Sequence, residues 1–267
     1  MIEIVHNHLQ RGRVRFAVFD FDGTLSLIRE GWQQVMLATM MGELLQTPHH
    51  ENEPQLRSRV TQMIIQTTGQ TTSFQMALLA EQVQKRGGQP ENPLVYKQRY
   101  LEQLDKHIHR RITAIKSGRM SPDEMMVPGA RAMLEAMRVR GVCCYLVSGT
   151  YEPYVLDEAD VLKITPYFEG IYGGQDDPAR FSKKQFMDRL IAEHHLEGCE
   201  FVSIGDGGAE IEAAKSSGGI AVGVASNEAT RTGVDERKRK LLIQAGADVI
   251  VPDFREHEEL IKYLFDA

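Results

Sequence analysis

Six residues, Val14 to Phe19 (VRFAVF), are mostly apolar without strict alternation, and they stop at Asp20-Phe21-Asp22-Gly23-Thr24. A strand of that texture is covered on both faces, which points to a parallel sheet between layers of helix. The pattern returns at Val142 to Val147 (VCCYLV), ending at Ser148-Gly149-Thr150, and at Phe201 to Ile204 (FVSI), ending at Gly205-Asp206. Ile220 to Ala225 and Ala247 to Val251 repeat it again. Helical stretches at Gly129 to Arg140, Ser182 to His195 and Glu210 to Ser216 lie between them. Such alternation predicts an α/β fold with right-handed crossovers, a doubly wound, Rossmann-like parallel sheet.

Between Leu27 and Val127 the texture changes. Trp32, Val35, Met36, Thr39 and Met40 follow helical spacing, as do Phe74, Leu78, Leu79 and Val83, and Leu94 to Ile115 reads as helix. Gly87-Gly88-Gln89-Pro90 and Ser121-Pro122 are breaks. About 100 residues of helix therefore follow the first strand. The expected division is a core of residues 1–26 and 127–267 and a helical cap of 27–126. An insertion at that strand end sits over the crevice where such sheets bind ligands.

With 267 residues, 42% hydrophobic and 25% charged, the chain has the composition of an ordinary globular protein with a full core. Its net charge of -6 argues against coating nucleic acid or an anionic membrane. No stretch reaches the roughly 18 apolar residues of a membrane span. Three cysteines, two of them adjacent, make no disulfide framework, and Glu3, His6, Arg11 and Arg13 replace the apolar run of a signal peptide. These features suit a cytoplasmic protein.

The chemistry lies where strands end. Asp20, Asp22, Asp206 and Glu210 converge from separate strand ends and repel one another unless a cation sits among them. A hard divalent ion with oxygen ligands answers this, and beside phosphate Mg²⁺ is the usual choice. Asp20 and Asp22, two residues apart, suit a nucleophile and a proton-transfer group. The hydroxyls of Thr24 and Ser148, with N–H groups at Gly23 and Gly149, suit phosphoryl oxygens. Lys183 or Lys184 supplies the balancing cation. Gly205-Asp206-Gly207 fails as a dinucleotide fingerprint, since Asp206 would repel a pyrophosphate. The basic run Arg237 to Lys240 reads as the solvated face of an amphipathic helix, and Cys143 and Cys144 as inert packing.

Four motifs in order, AVFDFDGTLS, VSGT, SKKQF and IGDGGAE, resemble the haloacid dehalogenase superfamily of phosphohydrolases, with the helical insertion in the place of a C1-type cap. The resemblance implies that Asp20 attacks phosphorus and becomes an aspartyl-phosphate, and that Asp22 protonates the leaving oxygen and later activates water. It implies Mg²⁺ held by the Asp20 and Asp206 carboxylates and the Asp22 carbonyl. Glu210, standing where the family often has Asp, would reach the ion through water. Ser148 and a lysine would clamp the phosphoryl group. Lys183 fits the family's helix start, and Lys184 is the alternative. Members that cleave carbon–halogen bonds lack the second acid, so Asp22 favours phosphoryl chemistry.

The polar break Gln66 to Gln75 holds Thr68, Gly69, Gln70 and Thr71, which in capped relatives would read the leaving group; otherwise it is an ordinary helix–helix turn. Arg29 and Trp32, just after the first motif, are further candidates for substrate contact. The expected function is a phosphatase acting on a small phosphorylated metabolite, a sugar or polyol phosphate, with no nucleic acid or membrane partner. The alternatives are a phosphomutase of a sugar phosphate and a non-catalytic binding protein on the same scaffold.

Overall fold

The computed structural model describes residues 2–6, 10–177 and 181–266; Met1 and Ala267, the outer ends of the expected core, lie outside them. A short strand β1 (Glu3–Ile4) precedes β2 (Phe16–Phe19). Four helices follow: α1 (Trp32–Leu44), α2 (Glu53–Gln66), α3 (Thr72–Lys85) and α4 (Pro93–Lys116). The remainder alternates: α5 (Ala130–Val139), β3 (Cys143–Tyr151), α6 (Glu152–Val161), β4 (Gly170–Gly174), α7 (Lys183–His194), β5 (Phe201–Gly205) and α8 (Gly208–Ser216). Then come β6 (Ile220–Val224), α9 (Glu236–Gln244), β7 (Val249–Val251) and α10 (His257–Phe265).

Among the described residues the sheet has seven strands in the order β1-β7-β6-β5-β2-β3-β4. All pairings are parallel except that of β1 with β7. The centre is β2, whose four residues are all buried. Phe16 and Val18 pack on one face with Phe186, Met187, Leu190, Ile211 and Leu242 from α7, α8 and α9. Ala17 and Phe19 pack on the other with Met133, Leu134 and Met137 of α5 and with Leu264 of α10. Each such buried Val or Phe contributes roughly 1.5–3 kcal/mol, so the two-sided apolar run could settle only in the middle of a sandwich.

The inserted helices obey the 3.6-residue period. Leu56, Val60 and Ile64 line one side of α2, and Tyr96, Tyr100, Leu104 and Ile108 one side of α4. Asn52 and Asn92 cap these two helices, each followed by a proline in the first turn. Their apolar sides join the same buried cluster as Leu25, Leu27 and Ile28, which follow β2.

Two parts of the core differ from expectation. The second apolar run does not end at Ser148: β3 continues to Tyr151, with a register shift between Val147 and Tyr151. Beyond Leu146 its partner is β4 alone, so Ser148-Gly149-Thr150 sits on an irregular strand segment rather than in a loop. Neither β4, three of whose five residues are glycine, nor the two-residue β1 carries a pattern legible in sequence. Cys144 is buried and its thiol is pushed up to about 12 by burial, as inert packing requires, whereas Cys143 is half-buried. Among the described residues no helix is long and apolar enough to cross a membrane.

Candidate active site

Because β5, β2 and β3 are adjacent and parallel, their C-terminal ends open on one edge. Asp20 follows β2 and Asp206 follows β5, while Glu210 lies in the first turn of α8. All three are buried, and one oxygen from each lies within 4.8 Å of the others. Lys183, the first residue of α7, reaches under them. Its Nζ donates to Asp20 Oδ1 at 2.5 Å and to Glu210 Oε2 at 3.2 Å. The Ser182 side chain caps α7 by accepting from Gln185 N, which sets the direction of that first turn. Lys184 points to solvent and pairs with Asp188 at 2.6 Å. Of the two lysines it is therefore Lys183 that meets the acidic cluster.

Burial raises Asp20 well above the carboxylate range; Lys183 opposes this, and Glu210 and Asp206 add to it. Glu210 is raised as well, chiefly by burial. For Lys183, burial disfavours the charge, but Asp20 and Glu210 more than offset it and hold its pKa above the ordinary lysine value.

Asp22 stands apart from this cluster. Thr150 Oγ1 donates to its Oδ2 at 2.7 Å, and its Oδ1 is buried without a protein hydrogen-bond partner. Burial pushes its pKa up to about 7, against the pull of Arg29, whose Nε is 3.9 Å from Oδ1. Arg29 itself is committed elsewhere. Its Nε and Nη2 donate to Glu158 Oε1 on α6 at 2.9 and 2.6 Å, both residues being buried. Arg29 thus holds the insertion's first turn to the core and lends Asp22 a neighbouring cation.

The break between α2 and α3 descends onto the strand ends. Gly69 has φ +87°, and a Cβ there would collide with Glu210 Oε2. A Cβ on Gly149 would collide with the Gln70 carbonyl. Only glycines permit so close an approach of the two backbones. The space left beneath is a cavity of about 50 Å³, room for a few water-sized groups and not for a whole phosphosugar.

Of the residues expected at the site, Asp20, Asp22, Arg29, Trp32, Thr68, Gly69, Gln70, Ser148, Gly149 and Asp206 line this cavity. Lys183 and Glu210 lie behind Asp20. Others do not reach the cavity. Thr24 is fully buried and its hydroxyl leans to Asp20 Oδ2 at 3.4 Å, while the Gly23 carbonyl accepts from Ser226 Oγ at 2.6 Å. Thr71 is the N-cap of α3, accepting from Phe74 N.

Sequence reasoning missed Thr150, Thr72, Gln75 and Tyr100, which also line the cavity. The Thr in VSGT was the available signal for the first; the α3 and α4 residues are identifiable only once those helices are packed. It also misread one residue of the basic run. Lys238 is not on a solvated face: its Nζ lies 2.7 Å from Asp206 Oδ2 and 2.7 Å from Glu228 Oε1. The reason is local. Asp235 caps α9 by accepting from the Arg237 and Lys238 N–H groups, and the resulting turn aims position 238 at the sheet edge.

With this geometry in view, the chain belongs to the haloacid dehalogenase-like hydrolases, whose family model matches residues 14–218. It is an enzyme of the hydrolase class, and the pairing of Asp20 with a separately oriented second acid is the build of a site for phosphate esters. No curated protein sequence matches the chain significantly. Solved structures similar to it include a protein described as a predicted phosphoglycolate phosphatase from Haemophilus somnus, at 17% identity and TM-score 0.59, over 93% of this chain and 98% of that one. A CbbY mutant from Rhodobacter sphaeroides in complex with xylulose-(1,5)bisphosphate matches at 18% identity and TM-score 0.59, over 91% and 96%. A phosphonoacetaldehyde hydrolase-like protein from Oleispira antarctica matches at 14% identity and TM-score 0.63, over 98% and 97%. At these identities the likeness is one of fold.

The buried Arg29–Glu158 pair generates a stability prediction. Glu158→Ala strips the buried guanidinium of its short carboxylate bonds, leaving Asp22 at 3.9 Å, and is expected to cost about 3–5 kcal/mol in urea unfolding. Arg29→Met combined with Glu158→Leu is expected to recover most of that loss, because removing both charges is far cheaper than removing one.

Proposed function

We propose that this protein is a Mg²⁺-dependent phosphatase that hydrolyses a small phosphate monoester, a sugar or polyol phosphate, through an aspartyl-phosphate intermediate. The observation that carries the reading is the convergence on one cavity of a buried carboxylate held by a lysine (Asp20 with Lys183) and a second carboxylate, Asp22, oriented by a different partner.

The donor set fits a divalent cation. Among the described residues, Asp20, Asp206, Glu210 and Glu228 meet two ammonium groups, those of Lys183 and Lys238, so with all four carboxyls ionised the cluster carries an excess of two negative charges. Asp20 and Asp206 would hold the ion by their carboxylates and Asp22 by its backbone carbonyl. Glu210, with Oε1 already accepting from Gly207 N at 2.6 Å and Oε2 from Lys183, would act from further away. When bound, Mg²⁺ supplies charge neutralisation for the phosphoryl oxygens beside Asp20.

The chain's own residues account for the rest. An Asp20 oxygen attacks phosphorus, and the bond from phosphorus to the leaving oxygen breaks. Asp22 gives its proton to that oxygen, and the alcohol departs. Water then attacks the phosphorus of the aspartyl-phosphate and surrenders a proton to Asp22, releasing phosphate and restoring both carboxyl groups. A pKa near 7 suits a group that must give and take a proton in turn. Ser148 and Lys183 would hold phosphoryl oxygens throughout.

Residues 27–126 would act as the cap over the core formed by 1–26 and 127–267. The small cavity corresponds to the closed position, so the Thr68–Thr71 turn must lift to admit substrate and release product. Among the described residues lining the cavity, the one guanidinium, Arg29, is held by Glu158. Among the described residues a second phosphate would find no uncommitted cation there, which favours water over a phosphomutase's second hydroxyl. The free and largely buried cysteines suit a reducing cytoplasm.

Phosphate release across a panel of phosphorylated metabolites with Mg²⁺ tests the reading. Asp20→Asn is expected to lose at least about a thousandfold in kcat while keeping its fold; near wild-type turnover would sink the nucleophile assignment. Asp22→Asn is expected to lose about 10²–10⁴-fold on alkyl phosphates. With para-nitrophenyl phosphate, whose leaving group needs no proton, the same variant should show a burst of one phenolate per enzyme followed by slow turnover. In the cap turn, Gln70→Ala should alter the ranking of substrates more than it alters hydrolysis of the aryl ester. Equal losses on every substrate would mark the turn as structural only.

A further inference from the structure

Lys238 lies outside the four motifs, yet it joins three pieces of the site. Its ammonium touches Asp206 Oδ2 at the end of β5, and Glu228 Oε1 and Ser226 Oγ in the segment after β6, at 2.7, 2.7 and 3.3 Å. Ser226 Oγ in turn donates to the Gly23 carbonyl, in the turn that follows Asp22. That turn packs directly on the pair: a Cβ on Gly23 would run into both Asp206 and Lys238 Nζ. The lysine side chain is 15% exposed, although its helix neighbours Arg237 and Lys240 face solvent. It faces a second cavity of about 380 Å³, between α1 and α2 on one side and α9 on the other, which shares Asp206 and Thr68 with the catalytic cavity.

Resting on the reading of Asp206 as a metal ligand, we propose that Lys238 is a resident counter-ion of the metal centre. It holds one oxygen of Asp206 while no divalent cation is bound, and it shifts toward Glu228 when one enters. Three features support this role. The ammonium is equidistant from two carboxylates, one in the acidic cluster and one outside it, so it has somewhere to go. Glu228 is not a member of the three-carboxylate group that could hold an ion. The cluster without Lys238 would bury three carboxylates against Lys183 alone, so a removable cation keeps the empty site from repelling itself apart. Lys238 is on this account a positioning residue: it touches a ligand of the ion and not the reacting phosphoryl group.

A purely structural lysine and a competing counter-ion predict opposite signs. Isothermal titration with Mg²⁺ alone, on the full chain without substrate, reads the difference. Lys238→Met keeps most of the stem and removes the charge, and is expected to tighten Mg²⁺ binding on the order of tenfold. Its melting temperature should fall in chelator and recover in Mg²⁺ by more than the wild type gains. Glu228→Gln leaves the ammonium with Asp206 as its one anionic partner and is expected to weaken Mg²⁺ several-fold, an effect that shrinks in the Lys238→Met background.

Weaker Mg²⁺ binding by Lys238→Met, or an equal melting deficit with and without Mg²⁺, would overturn the proposal. Should Lys238→Met give no folded protein even with Mg²⁺ present, Glu228→Gln decides alone, and an unchanged affinity overturns it. Asp206→Asn separates this idea from the metal reading beneath it. If the wild type binds Mg²⁺ and Asp206→Asn does not, the metal site stands whatever Lys238 does. If the wild type binds none, both fall.

Discussion

Three carboxylates buried within 4.8 Å of one another are what the rest of this structure must accommodate. Like charges in a low-dielectric edge repel strongly unless cations stand among them. Lys183 comes from below on α7 and Lys238 from the side on α9, so the two helices flanking the crevice each bring one ammonium. The parallel order β5-β2-β3 makes this possible, because it points three chain reversals at the same edge. A site of this charge holds together only if the sheet beneath it is rigid. The fully buried β2, packed on both faces, meets that need.

The insertion answers a different requirement. Under the proposed function, water must be kept out while the intermediate forms and let in afterwards. Gly69 and Gly149 let the α2–α3 turn and the strand end approach to backbone contact over the cavity. The Arg29–Glu158 pair ties the start of the insertion to α6, and Lys97 of α4 pairs with Asp176 beyond β4 at 2.7 Å. The insertion is thus tied to the core at its start and at its fourth helix, with a close-fitting turn between.

Much of the fold was readable before any coordinates. The runs at Val14–Phe19 and Phe201–Ile204 found their strands to within a residue or two, because an apolar segment covered on both faces has no alternative place in a globular protein. The helices at Leu94–Ile115 and Ser182–His195 were similarly plain from period and caps. β4 and β1 were not, since glycine-rich or two-residue strands carry no periodicity and exist only because a neighbouring edge offers hydrogen bonds. At the site, residues inside the motifs were legible while their partners were not. Asp20, Asp22 and Asp206 announce themselves by position after an apolar run, whereas the resemblance left Lys183 and Lys184 both open. Glu158, Tyr100 and Lys238 sit in unremarkable helical text.

The sequence by itself determined the α/β sheet, the run of helices after the strand that ends at Asp20 and the acidic edge, because each depends on local period, on strand termination or on charge near in sequence. Only the tertiary structure decided which cation meets which carboxylate. Lys183 rather than Lys184 turns inward because the Ser182 cap sets the phase of α7, and Lys238 turns inward because Asp235 does the same for α9. Arg29 faces Glu158 across 129 positions of chain. Pairings of that kind are settled by helix phase and by the packing of distant elements, and one residue of rotation on a helix exchanges a buried charge for a solvated one.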